Sequence, residues 1–222
     1  MAQRRILDIG IDFDMVTNNW EGPNSPFLRE WNNVFKGTLR YIPAVKAEHW
    51  ECSYNYPEEF REAVRSIYVN PKPGFYTDMP LMEKAAWGIQ ALRDMGHRLY
   101  CVTVPIMEVD HELERFFQNS LRIRTDTWIR VVMEKKNYLL KHFGKDAPPL
   151  YPIEDKRMFN GNYLIDDNPR LSSVARAPWH HILFDRGYKY NQNNGKVGQL
   201  KGDWEYVVKK IDELSLYTVD AE

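Results

Sequence analysis

Apolar residues fall into two kinds of run along the chain. Four short runs have the length of buried strands: Ile6, Leu7, Ile9 and Ile11 within Arg5 to Ile11, then Leu99 to Thr103, Tyr163 to Ile165, and His181 to Phe184. Between them apolar residues recur at helical spacing. Leu81, Ala85, Ile89 and Leu92 follow Pro80 and stop at Gly96, a natural helix end. Trp128, Val132, Tyr138, Leu139 and Phe143 mark a helix over 125–143 that Gly144 can close, and Trp204, Val207, Val208, Ile211 and Leu214 mark a last one. Strands alternating with helices predict an α/β layer fold with a mostly parallel sheet. The stretch from Asn18 to about Tyr76 differs. It is rich in Trp, Tyr, Asn and Pro, lacks a clean strand, and carries short helical patterns at Phe27–Phe35 and Pro57–Tyr68, before Pro71, Pro73 and Gly74 close it.

Composition narrows the function classes. At 222 residues and 43% hydrophobic, the chain can bury one substantial core with a smaller insertion. Thirty basic and 31 acidic residues give a net charge of −1. A dedicated polyanion binder needs a basic surplus, so duplex nucleic acid is not expected as a partner. No apolar run approaches ~18 residues, so no membrane span is expected. Residues Met1 to Arg5 show no secretory pattern, which makes a cytoplasmic protein the expectation. Two cysteines are too few for a disulfide framework or a zinc cage. Seven Trp, 13 Tyr and 10 Phe are many for this length, and some of them are candidates to line a pocket instead of filling the core. Monomer and homodimer both stay open.

The candidate chemistry lies at strand ends. The first strand ends in Asp12-Phe13-Asp14, the second in Thr103 and the third in Asp166-Asp167. Ligands of open parallel sheets bind beyond the carboxyl ends of strands, so these carboxylates converge on one rim and call for a hard divalent cation such as Mg²⁺. At a strand end one carboxylate of Asp12-x-Asp14 can attack phosphorus while its neighbour manages protons. Lys156, in the loop before the third strand, can neutralise a phosphoryl group. Each feature has a plainer alternative: solvated acids at a turn, a β-branched strand residue, a surface lysine, and ordinary turn formers in Asp166-Asp167-Asn168-Pro169.

Taken in order, strand-DxD, strand-Thr, Lys and strand-DD resemble the four motifs of the haloacid dehalogenase (HAD) superfamily of phosphotransferases. Ile11 to Val16, Val102 to Ile106, Asp155-Lys156 and Leu164 to Pro169 resemble its 5'(3')-deoxyribonucleotidase branch, as do Lys141 to Gly144 and Trp179 to Phe184. The resemblance implies a Rossmann-like parallel sheet with helices on both faces, built from residues 1–17 and 78–222, and a small, mainly helical cap over 18–77. Asp12 would be nucleophile and Mg²⁺ ligand. Asp14 would be the acid/base and offer its backbone carbonyl to the metal. Asp167 would ligate Mg²⁺, with Asp166 supporting from behind. Thr103, Val104 and Lys156 would hold the phosphate, while Trp20 and Phe75 would meet the nucleobase of a small nucleotide. The expected activity is hydrolysis of (deoxy)nucleoside monophosphates. The alternatives are another small phosphomonoester, a nucleic-acid 3'-phosphate, or a catalytically weak nucleotide-binding module. The chain departs from the family at Met15, where glycine is usual, at Val104, where a hydroxyl is common, and at Met107, where a basic residue is common.

Other signals are read as structural. His180-His181 diverge from one strand, and Cys101 suits a core. Gly195-Lys196-Val197-Gly198 reads as a turn. Arg122, Arg124, Arg130, Lys135 and Lys136 read as a solvated helix face.

Overall fold

The computed structural model describes residues 2–105, 118–153, 155–173, 177–192 and 201–218. Met107 and the turn expected at Gly195 to Gly198 lie outside them, as do the side chains of Arg122 and Arg124. Strands are numbered in chain order. β1 (Ala2–Arg4) pairs antiparallel with β8 (Leu216–Thr218). The main sheet contains β2 (Asp8–Asp12), β3 (Arg98–Thr103), β4 (Leu150–Pro152), β5 (Tyr163–Asp166), β6 (His180–Phe184) and β7 (Lys201–Gly202). All its pairings are parallel, in the order β4-β3-β2-β5-β6-β7. The chain runs outward from β2 through β3 to β4, then crosses back to place β5 on the other side of β2. That reversal is the switch point where an α/β sheet opens a crevice.

Among the described residues six α-helices accompany the sheet: α1 (Pro26–Phe35), α2 (Glu58–Val69), α3 (Ala85–Asp94), α4 (Gln118–Phe143), α5 (Lys189–Gln192) and α6 (Trp204–Ser215). Ser25 caps α1 by accepting the Phe27 N–H, and Asp203 caps α6. Ile9, Ile11, Ile165 and Ile182 form one apolar cluster with Ile89 and Leu92 of α3 and Val207 and Ile211 of α6. Gly88 lets α3 approach α6: a Cβ there would stand 2.3 Å from Trp204 Cε3. The opposite side of the strands presents Gly10, Val102 and Leu164, which meet Phe159 and Trp179 beside the short 3₁₀ turns Lys156–Met158 and Pro169–Ser173. Helical elements thus cover both faces of a Rossmann-like α/β sheet, with the second face served by short ones.

The insert between β2 and α3 builds a second cluster. Phe27 and Trp31 of α1 and Val64 and Ile67 of α2 are buried with Phe13 and with Val131, Tyr138 and Leu139 of α4. No helix among the described residues is long and apolar enough to cross a membrane.

Two expectations shift. The helix expected from Pro80 begins at Ala85. Leu81 bridges Asn18, the Met82 N–H donates to Thr17 O at 3.0 Å, and Lys84 adopts φ 61, so the preceding residues are tied to the start of the insert. The loop expected from Pro148 contains β4, a proline-ended edge strand of three residues.

Candidate active site

β2 delivers Asp12 to the switch point and the chain then turns tightly. Asp12 Oδ1 accepts the Phe13 N–H at 2.8 Å, Thr17 Oγ1 donates to Asp12 O at 2.8 Å, and Asn18 Oδ1 accepts the Met15 N–H at 3.2 Å. Met15 is left-handed, with φ 58. A side chain in that region costs about 1–2 kcal/mol, so Met15 holds a backbone conformation that favours glycine.

Lys156 opens its 3₁₀ turn, which Asp155 caps by accepting the Arg157 N–H, and the Trp179 indole N–H holds the Lys156 carbonyl at 2.8 Å. Lys156 Nζ lies 2.8 Å from Asp12 Oδ1 and pairs with Asp166, the fully buried last residue of β5. Asp166 also accepts the Asn168 N–H at 2.9 Å. Carboxylate oxygens of Asp12, Asp166 and Asp167 lie within 4.8 Å of one another.

Three buried carboxylates around one ammonium do not balance. Burial, then Asp166, push the Asp12 carboxyl up to about 7 despite Lys156. Burial, with Asp166 and Asp12, raises Asp167 well above the carboxylate range. Burial opposes the charge on Lys156, but Asp12 and Asp166 outweigh it and hold the ammonium above its ordinary value. This residue of negative charge, carried on hard oxygen ligands, fits a divalent cation of the Mg²⁺ class. Asp166 has both oxygens engaged, by Lys156 and by the Asn168 N–H. Asp12 and Asp167 are the carboxylates better placed to ligate.

Asp14 is held separately. Its Oδ1 accepts from Asn18 Nδ2 at 3.1 Å and from Trp20 Nε1 at 3.2 Å, and its Oδ2 from Lys135 Nζ at 2.6 Å. Lys135 is fully buried and also donates to Thr103 Oγ1 at 2.8 Å, with Nζ 4.7 and 4.5 Å from the Phe13 and Tyr76 ring centres. This corrects the reading of Lys135 as solvated. The signal was present in the sequence: Lys135 shares the helical stripe of Val131, Tyr138 and Leu139.

Above these groups lies a cavity of about 410 Å³, lined by Asp12, Asp14, Val104, Lys156 and Asp167 and by rings including Trp20, Phe27, Tyr41, Trp50, Tyr68 and Tyr190. The structure thus brings Asp12, Asp14, Asp167, Lys156, Val104 and Trp20 to one hollow. Thr103 is fully buried against Lys135, and Phe75 packs edge-on to Trp20 at 6.0 Å; neither lines the cavity. Sequence reading missed Tyr190, whose hydroxyl donates to Asp167 Oδ2 at 3.4 Å. It also missed Glu21, which accepts from Tyr41 OH at 2.6 Å and the Ala44 N–H at 2.5 Å. No motif marks these two residues, because they depend on how distant segments pack.

No protein-family model matches the chain. Among curated proteins, it is 29% identical over 141 residues to a Bordetella pertussis protein named "Putative 5'(3')-deoxyribonucleotidase", and 28% identical over 141 residues to a Bordetella bronchiseptica protein of the same name. Each match spans 63% of this chain and 64% of the relative. The likeness to the deoxyribonucleotidase branch carried by the motifs is therefore met again in sequence comparison over 141 residues. Among solved structures, the chain is similar to a HAD family hydrolase from Deinococcus radiodurans with bound phosphate and sodium (TM-score 0.46, 11% identity, 95% of this chain and 96% of that one). It is also similar to a predicted phosphatase from Clostridium acetobutylicum (TM-score 0.44, 14% identity, 94% and 100%).

Proposed function

We propose that this chain is a divalent-cation-dependent phosphatase of the HAD type that hydrolyses (deoxy)nucleoside monophosphates to nucleoside and inorganic phosphate. The observation that carries the reading is Lys156 shared between Asp12 and Asp166, with Asp167 beside them, opening onto a ring-lined cavity. The name borne by the Bordetella relatives supports the nucleotide part.

In this reading Asp12 attacks phosphorus, forming an acyl phosphate as the bond to the leaving nucleoside oxygen breaks. Asp14 gives that oxygen its proton. Asp14 then takes a proton from water, whose oxygen bonds to phosphorus as the Asp12 carboxylate leaves, so phosphate departs and both groups are restored. Lys156 and the Val104 amide face the phosphoryl oxygens. Asp12, Asp167 and the Asp14 carbonyl would hold Mg²⁺, which when bound neutralises charge on the phosphoryl group. Residues 18–77 act as a cap. Their rings, Trp20 first, stack against the base and keep bulk water from the acyl phosphate.

The test is phosphate release from a panel of deoxynucleoside and nucleoside monophosphates and sugar phosphates, with Mg²⁺ or with EDTA. Release from the nucleotides that EDTA abolishes and Asp12→Asn abolishes is the expected result. Faster release from sugar phosphates would move the substrate class. No release from any ester would leave a nucleotide-binding module.

A further inference from the structure

We propose that Lys135 is a positioning residue for the proton-transfer group Asp14, a role that rests on the phosphatase reading above. Lys135 comes from α4, which carries none of the four motifs. Its ammonium is fully buried and does not line the cavity, so it does not reach substrate. It donates to Asp14 Oδ2 at 2.6 Å and to Thr103 Oγ1 at 2.8 Å, while the faces of Phe13 and Tyr76 surround it. A cation stripped of water and given two hydrogen-bond acceptors is held by them and holds them in return.

Asp14 is thereby fixed from two sides. Asn18 and the Trp20 indole take one oxygen and Lys135 takes the other. This orientation matters because proton transfer to a leaving oxygen depends on where the carboxyl points. The helix is itself anchored next to Lys135: Glu134 accepts the Gly74 and Tyr76 N–H groups at 2.9 and 3.1 Å, on the segment that returns the chain from the insert. The same contacts explain why Thr103 faces away from the cavity, since its hydroxyl is committed to Lys135. During turnover the proton that moves is the one on Asp14.

The experiment compares a deoxynucleoside monophosphate, whose alkoxide needs a proton to leave, with p-nitrophenyl phosphate, whose phenolate does not. In a single turnover, read as release of nucleoside or of p-nitrophenolate, Lys135→Met is expected to slow the first step on the nucleotide by at least about 100-fold with half-saturation nearly unchanged, and the first step on p-nitrophenyl phosphate by less than about tenfold, whereas the later attack of water, where Asp14 serves both esters alike, is not read. An equal fall on both esters, or a change confined to KM, overturns the role. If Lys135→Met does not fold, as judged by circular dichroism, the pair Asp14→Asn and Asp14→Asn/Lys135→Met decides, since the double variant leaves neither a buried acid nor a buried ammonium without its partner. A residue acting only through Asp14 leaves the double variant at the rate of the single one, whereas a further multiplicative loss overturns the role. Wild-type protein inactive on both esters overturns the phosphatase reading and this role together. Wild-type activity together with an equal loss on both esters in Lys135→Met overturns this role alone.

Discussion

Lys156 Nζ stands 2.8 Å from Asp12 Oδ1, joining the end of β2 to a turn some 140 residues away in sequence. The contact neutralises one carboxylate at a point where three converge. Removing the ammonium leaves buried carboxylates facing one another, and breaking such a buried pair costs about 3–5 kcal/mol. Lys156→Met is expected to lose that much stability at pH 8 by denaturant melting and to release no phosphate. A variant as stable as wild type at pH 8 would show that the pair contributes nothing.

Metal-free stability should fall with rising pH. Burial and Asp166 raise the Asp12 carboxyl from 3.8 to about 7 in the folded protein. The folded state therefore binds this proton more tightly than the unfolded chain. The resulting stabilisation is fully present below pH 4 and is lost as pH rises through 7, by an amount on the order of 4 kcal/mol. A bound divalent cation favours the ionised form, so Mg²⁺ is expected to raise Tm more at pH 8 than at pH 5. An equal rise at both values would mean the ion binds elsewhere.

Trp20 is expected to serve two purposes that substitution can separate. Its indole N–H donates to Asp14, while its ring lines the cavity. Trp20→Phe keeps a ring and removes the donor, and a hydrogen bond to a charged group contributes about 1.5–3 kcal/mol. The expected result is a kcat lowered about tenfold or more with KM little changed, whereas Trp20→Ala raises KM as well. Equal kinetics for Trp20→Phe and wild type would remove the indole from the proton path.

Gly88 tests the packing of the core. Trp204 is fixed by its N–H to Val16 O at 3.1 Å and by Phe184, so it has no room to retreat from a new methyl group 2.3 Å away. Gly88→Ala is expected to cost about 1–3 kcal/mol in chemical denaturation, despite the helix preference of alanine. A stabilised variant would mean that α3 and α6 separate freely.

The parts legible in sequence were those set by local pattern. Strand ends announce themselves as apolar runs stopped by acids, so Asp12, Asp14, Asp166 and Asp167 could be placed before any geometry was known. Lys156 followed from its position ahead of one such run. β4 and β7 escaped because two or three residues carry no periodicity, and their pairing partners supply the order. The start of α3 was misread because its preceding turn is held by Thr17 and Asn18, from a distant part of the chain. Thr103 was expected at the phosphate from the family resemblance; in the structure its hydroxyl accepts from Lys135 on α4. Lys135 was misjudged because charge was weighed above position: a lysine on an apolar stripe is buried only if tertiary structure provides an acid, and that acid is 121 residues away.

The most direct test is to identify the atom that carries the phosphoryl group. Wild-type protein mixed with Mg²⁺ and a deoxynucleoside monophosphate, quenched with acid and reduced with borohydride, should convert residue 12 to homoserine, read by peptide mass spectrometry. The conversion should require substrate and vanish in Asp12→Asn. Phosphate release at the wild-type rate with residue 12 unmodified, or with Asn in its place, would contradict the account at its centre.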